Sequence, residues 1–285
     1  MNHLREKIYT RGTADFPFRR YAFSGVAEGR VMAQLHWHPE MELLQVSRGE
    51  LEVRVGREQV LVRAGQVAFI SPGQLHSVRA VMADSDYSAF VFSLDLLTLP
   101  ETHFFQRELI APLQAGTLQF PVLPEEGDGV CSRVWAALDD IPVSAADGQY
   151  KTIAFSAMIR VFALMMDRMQ RGRAELTQNS SETVKRCLAY MQAHYERRLT
   201  LQELAQQVHL HPNYLCALFK DYTGKTVFAQ LAAIRVEKAA ELLRDRDVSV
   251  STAAATCGFE SPGFFTRKFK EIMGMTPKQY SMQYR

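Results

Sequence analysis

The chain has 285 residues, 47% of them hydrophobic, and a formal net charge of +2. That length predicts two domains, and that apolar content excludes a disordered chain. The charge is unevenly spread: residues 182–285 hold 15 Lys and Arg against 10 Asp and Glu, and the remainder holds 18 against 21, so a polyanionic partner is expected for the C-terminal part alone.

Residues 1–30 read as an arm with few periodic cues. From 31 to 92 short runs alternate with turns: "VMAQLHW" before "HPE", "ELLQVS" before "RGE", "LEVRV" before "GRE", then "QVLV", "QVAFI", "LHSVRAV" and "YSAFVFSL". Such spacing predicts an antiparallel sandwich or barrel, and the lack of crossover helices argues against a parallel sheet. Within it, "HWHPEMELLQVSRG" sets out His36, His38, Glu42 and Gly49, and "AGQVAFISPGQLH" ends at His76. Positions two apart on a strand share a face, so His36 and His38 project together, and His76 could converge on them and Glu42. Glu42, Leu44 and Val46 alternate onto one face, as His76 and Val78 do onto another. Three His and a carboxylate can hold a divalent metal with open positions. They can equally hydrogen-bond an organic ligand, and both readings stand. Arg19, on the arm, could close over such a ligand. The spacing H-x-H-x3-E-x6-G, then PG-x2-H, resembles that of the cupins.

From residue 101 the period lengthens. "THFFQRELIAPL" predicts a short helix, "LPEEGDGVCSRVWAALDDI" another from near Asp128, and Gln149–Gln170 the longest. The broad apolar face of that last helix, with Met158, Phe162 and Met165, is expected to dimerise the chain. Residues 171–181 are polar and aperiodic and read as a linker.

The rest of the chain is written twice. "LTLQELAQQVHL" (Leu199–Leu210) returns 49 positions later as "VSVSTAAATCGF" (Val248–Phe259). "PNYLCALFKDYTGKT" (Pro212–Thr226) returns 50 positions later as "PGFFTRKFKEIMGMT" (Pro262–Thr276). Each copy predicts a short helix, a turn and a second helix with a basic end, the pattern of a helix-turn-helix whose second helix can enter the major groove. Thr200 with Glu203 reads as a capping box, Ser249 as a second cap, and Pro212 and Pro262 as first helical residues. The segment Phe228–Asp245 is a long connector of about 27 Å. The four cysteines form no CxxC motif; Cys187, Cys216 and Cys257 fall at helix-period apolar positions and read as buried thiols in a reducing compartment. No run approaches the length of a membrane span, so a cytoplasmic protein without a membrane partner is expected.

Residues 182–285 resemble the DNA-binding domain of the AraC/XylS family of transcription regulators, on the strength of "LQELAQQVHLHPNYLCALFKDYTGKT", "IRVEKAAELL" and "ATCGFESPGFFTRKFKEIMGMTPKQY". The resemblance implies seven helices and two helix-turn-helix units. The expected fold is α+β with two domains: a cupin-like antiparallel β-barrel with helices, then an all-α domain. The expected boundaries are 1–100 for the effector-sensing barrel and arm, 101–172 for the helical dimerisation region, 173–181 for the linker and 182–285 for the tandem helix-turn-helix domain. Asn213, Tyr214, Cys216, Ala217 and Lys220 of the first recognition helix are candidate DNA contacts, as are Gly263, Phe264, Thr266, Arg267 and Lys270 of the second. Arg267 suits guanine, whereas Lys220 and Lys270 suit phosphate. His36, His38, Glu42, His76 and Arg19 are the candidate effector site, and the first four are also the candidate metal site. The expected function is a sequence-specific regulator, an activator, controlled by a small molecule such as a sugar or related metabolite. Its partners are double-stranded DNA, a second copy of the chain and, from the resemblance, RNA polymerase. No catalytic residue is expected, no Walker loop or GxSxG is present, and no cofactor is required beyond a possible divalent metal. The alternative is a metal-dependent cupin enzyme with a helical appendage.

Overall fold

The computed structural model describes residues 12–284 except 14, 126–128, 145, 147, 172–174 and 245–247. The chain divides into two compact units, whose described residues are 12–171 and 175–284. Residues 1–11 of the expected arm, the helix start at Asp128 and linker positions 173 and 174 lie outside the described residues.

Eight strands build the first unit: β1 (Phe18–Val26), β2 (Val31–His36), β3 (Met41–Arg48), β4 (Glu50–Val55), β5 (Glu58–Arg63), β6 (Val67–Ile70), β7 (His76–Ala80) and β8 (Ser85–Phe92). They form two antiparallel sheets, ordered β1-β8-β3-β6 and β2-β7-β4-β5. Period-two alternation decides which core each side chain joins. Leu44 and Val46 of β3 meet Val53, Val55 and Val78 of the opposite sheet in the barrel interior. Met41 and Leu43, from the other face of β3, join Phe69, Phe90 and Phe92 in a second core beneath the helices. Gly49, the glycine of the sequence motif, turns β3 into β4 at φ 78°; a Cβ there would lie 2.9 Å from the Ser85 Cα.

Two expectations about the edges of this unit are corrected. The arm is not irregular, since residues 18–26 are a full strand pairing with β8 from Phe18↔Phe92 to Val26↔Ser85. The helical region also does not stand apart from the barrel. A π-helical turn (Gln106–Ile110) runs into α1 (Ala111–Gln114), followed by a two-residue strand β9 (Leu118–Gln119), α2 (Val130–Asp139) and α3 (Tyr150–Met165). Strand β9 pairs with β10 (Gln170–Arg171). Met158, Val161, Phe162 and Met165 of α3 have no exposed surface and pack into the core with Phe92 and Phe120. The face expected to dimerise is thus consumed inside the chain. At the edge of that face Phe155 stays 42% exposed, and Met166, in the turn that follows the helix, 37% exposed.

The second unit is all helix: α4 (Glu175–His194), α5 (Leu201–Gln207), α6 (Pro212–Thr223), α7 (Val227–Leu242), α8 (Val250–Thr256), α9 (Pro262–Met273) and α10 (Pro277–Tyr284). Residues 175–181, read as linker from their polar composition, open α4 instead. Among the described residues no helix is long and apolar enough to cross a membrane.

Candidate functional site

The barrel site is assembled from both sheets. His36 ends β2 and pairs with His76, which starts β7; Glu42 sits near the start of β3 on the face that carries Leu44 and Val46 inward. His38 follows β2 and comes over the same point. Ring centroids lie 4.2 Å apart for His36 and His76, 4.9 Å for His38 and His76, and 5.5 Å for His36 and His38. One ligand atom from each of His36, His38, Glu42 and His76 lies within 4.8 Å of all the others. The four residues singled out from spacing are therefore brought together, at one end of the barrel, with apolar interior beyond them.

The polar contacts orient the rings. Nδ1–H of His36 donates to the Gln34 carbonyl at 2.8 Å, and Nδ1–H of His76 to the Gln74 carbonyl at 2.8 Å. Nδ1 of His38 faces the Glu40 carbonyl at 3.1 Å and the Glu40 carboxylate at 3.4 Å. That leaves Nε2 of His38 and of His76 aimed at one Glu42 oxygen, at 3.2 and 3.1 Å. Burial raises the Glu42 carboxyl, but the hydrogen bonds and charges of His38 and His76 outweigh it and hold the group well below the usual carboxylate range. The arrangement is one that could hold a metal: imidazoles fixed through one nitrogen to carbonyls, the other nitrogens converging with a carboxylate. Arg19 shares only their row: it pairs with Val91, and Val91 pairs with Glu42, but its side chain is exposed and two strands from Glu42, so it is not brought into the buried cluster. Arg20 faces the other way, donating to the Ile141 carbonyl and to Ser88 Oγ beneath the helices.

In the second unit both recognition helices start the same way. Ser261 Oγ accepts from Phe264 N–H at 3.3 Å, and His211 Nδ1 from Asn213 N–H at 3.4 Å, with Pro212 and Pro262 next in line. Gly224 and Gly274 end them at φ 68° and 77°. In α6, Leu215, Leu218 and Phe219 are buried, while Asn213, Tyr214, Cys216, Ala217 and Lys220 are all exposed. In α9, Phe265 and Phe269 are buried, while Gly263, Phe264, Thr266, Arg267 and Lys270 are exposed. Each set of candidate contacts thus shares one open helix face. Cys216 is therefore exposed, unlike Cys187 and Cys257, which are buried. The capping box at Thr200 is half formed: Thr200 Oγ1 accepts from Glu203 N–H at 3.2 Å, but the Glu203 carboxylate accepts from Tyr190 and Arg197 instead.

A residue the sequence reading passed over holds this unit together. Arg235 of α7 donates from Nε to the Tyr195 carbonyl and from Nη2 to the Arg197 carbonyl, both at 2.8 Å. These carbonyls follow the end of α4, and Gly258, in the second turn, is set against the same segment. The signal was the position of an Arg on the inner side of an apolar connector, where a charge has to find partners.

The chain matches the family described as "Helix-turn-helix domain" over residues 204–283 and the "Cupin domain" family over 22–88. It is 26% identical over 255 residues to the uncharacterized regulator YdeC of Bacillus subtilis, covering 86% of this chain and 85% of that one. It is 22% identical over 261 residues to the melibiose operon regulatory protein of Escherichia coli K12, covering 88% and 84%. Among solved structures, the C-terminal domain of AraT, a response regulator from Geobacillus stearothermophilus, is 34% identical, covering 36% of this chain and 86% of that one at a TM-score of 0.34. With a cupin domain ahead of a helix-turn-helix domain, and regulators aligned along most of its length, the chain belongs to the AraC/XylS family of DNA-binding transcription regulators.

Proposed function

We propose that this regulator reads its effector through a divalent metal held by Nε2 of His36, His38 and His76 and a carboxylate oxygen of Glu42. The observation that carries this is convergence: one ligand atom from each of the four residues lies within 4.8 Å of all the others, and the Nδ1 atoms of the three rings are turned away onto backbone carbonyls. A set of three imidazoles and one carboxylate suits a first-row divalent metal. Such an ion supplies open coordination positions to the oxygen atoms of a small molecule, which favours an effector with an acidic or hydroxyl-rich end, a sugar-like metabolite or a related acid. The exposed faces of α6 and α9 then take double-stranded DNA. The protein acts as a homodimer in the cytoplasm and as an activator that engages RNA polymerase, with no enzymatic step.

The same four ligands are what a metal-dependent cupin enzyme would use, and one experiment separates the readings. Metal content is measured by mass spectrometry on the purified full chain and on Glu42→Gln, alongside effector-dependent DNA binding. The proposal expects near-stoichiometric metal in the parent, at least a tenfold weaker hold on it in Glu42→Gln, and loss of effector response while basal DNA affinity stays. A parent chain that takes up no added divalent metal would refute the metal reading. Effector turnover would favour the enzyme.

A further inference from the structure

The open face of α9 carries a pairing that α6 lacks. Ser261 and Pro262 start the helix and Gly263 projects no side chain, with nothing within 4 Å of where its Cβ would be. Phe264 and Arg267 are therefore the first large side chains to leave this end of α9. They sit one turn apart, and the Arg267 guanidinium lies over the Phe264 ring at 5.5 Å from its centroid. Phe264 remains 40% exposed even so, although it leans on Phe259 at 6.1 Å between centroids. A large aromatic held half in water at the tip of a recognition helix is poorly explained by packing. In the first unit the 50-residue offset puts Tyr214 and Ala217 at these places, so nothing there can form the same pair.

We infer that Phe264 and Arg267 read two adjacent bases on one strand, a thymine and a guanine, as a single unit. The inference rests on α9 entering the major groove. A guanidinium can grip guanine O6 and N7 in two hydrogen bonds, and the thymine methyl is the apolar group that the groove offers to a ring. Neighbouring bases on one strand are about 3.4 Å apart, so two side chains 5.5 Å apart on one helix face can address adjacent bases. The stacking also holds Arg267 in place before binding, which lowers the entropy lost in gripping the base.

The test uses the full chain. A random-sequence DNA pool is selected with the parent protein, and the enriched site is then remade with uracil for the thymine beside the invariant guanine. Uracil removes only the methyl group. The parent should bind the uracil site about fourfold more weakly, which is what burying one methyl is worth. Phe264→Ala should bind both sites alike, Phe264→Leu should keep the thymine preference, and Arg267→Ala should lose the guanine preference by at least about fivefold. Equal binding of thymine and uracil sites by the parent would overturn the pair while leaving the DNA reading intact, as would a thymine preference that survives Phe264→Ala. A pool with no enriched sequence would overturn the DNA reading and the pair with it.

Discussion

Gly258→Ala tests how the two helix-turn-helix units are held as one body. Gly258 turns α8 toward α9 at φ 75°, and a Cβ there would lie 2.6 Å from the Glu196 carbonyl oxygen, 2.7 Å from that of Tyr195 and 3.0 Å from Arg235 Nη2. Left-handed backbone alone costs a non-glycine residue about 1–2 kcal/mol. The Cβ also cannot sit at 2.6 Å from backbone oxygen, so the turn must move off the end of α4. That loosens the two Arg235 hydrogen bonds, charge-assisted contacts worth about 1.5 kcal/mol or more each where they are sheltered from water. Together these give a loss of about 2–4 kcal/mol in the C-terminal unit. The first unit supplies its own control. His209 occupies the matching turn at φ 57°, so a side chain is already accommodated there and His209→Ala should cost less than about 1 kcal/mol. Thermal unfolding of the full chain has to be followed with and without DNA, because two units do not melt as one and the transition that DNA raises belongs to the second. At about 4 °C or more per kcal/mol for a unit of this size, Gly258→Ala should lower that transition by about 8 °C or more. It should also weaken a site spanning both recognition helices more than a site for one. A shift no larger than that of His209→Ala would refute the reasoning.

Three further outcomes are expected. Burial pushes the Cys187 and Cys257 thiols up to about 12, so a thiol reagent at pH 8 should leave them untouched and label Cys216 and the half-buried Cys131, and selected DNA should slow the labelling of Cys216, followed by peptide mapping; an unchanged Cys216 rate in the complex would remove it from the interface. Phe155→Glu, at the exposed edge of the apolar face of α3, should give a folded monomer by light scattering, whereas Phe162→Glu should unfold the first unit at a cost above about 3 kcal/mol; a dimer that persists in Phe155→Glu would move the interface off this helix. Ala217→Arg should introduce a guanine preference in the half-site of the first unit by about tenfold, and a base-by-base binding profile identical to the parent's would show that the 50-residue offset does not carry reading geometry.

How much of this was legible in the sequence depended on how local its causes were. The hairpins of residues 31–92, the caps at Thr200 and Ser249 and the helix starts at Pro212 and Pro262 rest on neighbouring residues, and pattern alone located them. The His-Glu cluster was legible from its cupin-like spacing, and the structure closes it by pairing His36 with His76. Strand β1 was not, since its pattern mixes Arg, Tyr, Ser and Gly, and the partner that makes it a strand, β8, lies more than sixty residues on. The row joining Arg19 to Glu42 through Val91 is a matter of register and could not be read before the sheet order was known. Residues 175–181 are mostly polar in composition, which reads as linker, but they belong to the same helix as the apolar stripe of α4 that follows. The apolar face of α3 misled in a different way. Hydrophobic periodicity says that a face is buried, and it does not say whether against the same chain or another.

The duplication separates what builds a recognition helix from what reads DNA. Ala205 and Ala254 accept the same turn-closing bonds from Leu210 and Phe259, at 2.9 and 3.0 Å. Phe219 and Phe269 are both buried, and Gly224 and Gly274 end their helices alike. The scaffold is the same object twice. The exposed faces are not: both tips carry an aromatic, Tyr214 and Phe264, but beside it Asn213, Cys216 and Ala217 offer little beyond one amide, whereas α9 offers Arg267 and Thr266. Both helices carry a Lys at the equivalent place, Lys220 and Lys270, suited to phosphate. Affinity of the sequence-independent kind is thus available to both units, while the chemistry that distinguishes bases is concentrated in the second. Both units are tied to the end of α4, the first through Glu203 to Tyr190 and Arg197, the second through Gly258 and Arg235. Discrimination between bases needs groups held to a few tenths of an ångström, and the more selective face stands on a glycine turn set closely against the Tyr195 and Glu196 carbonyls.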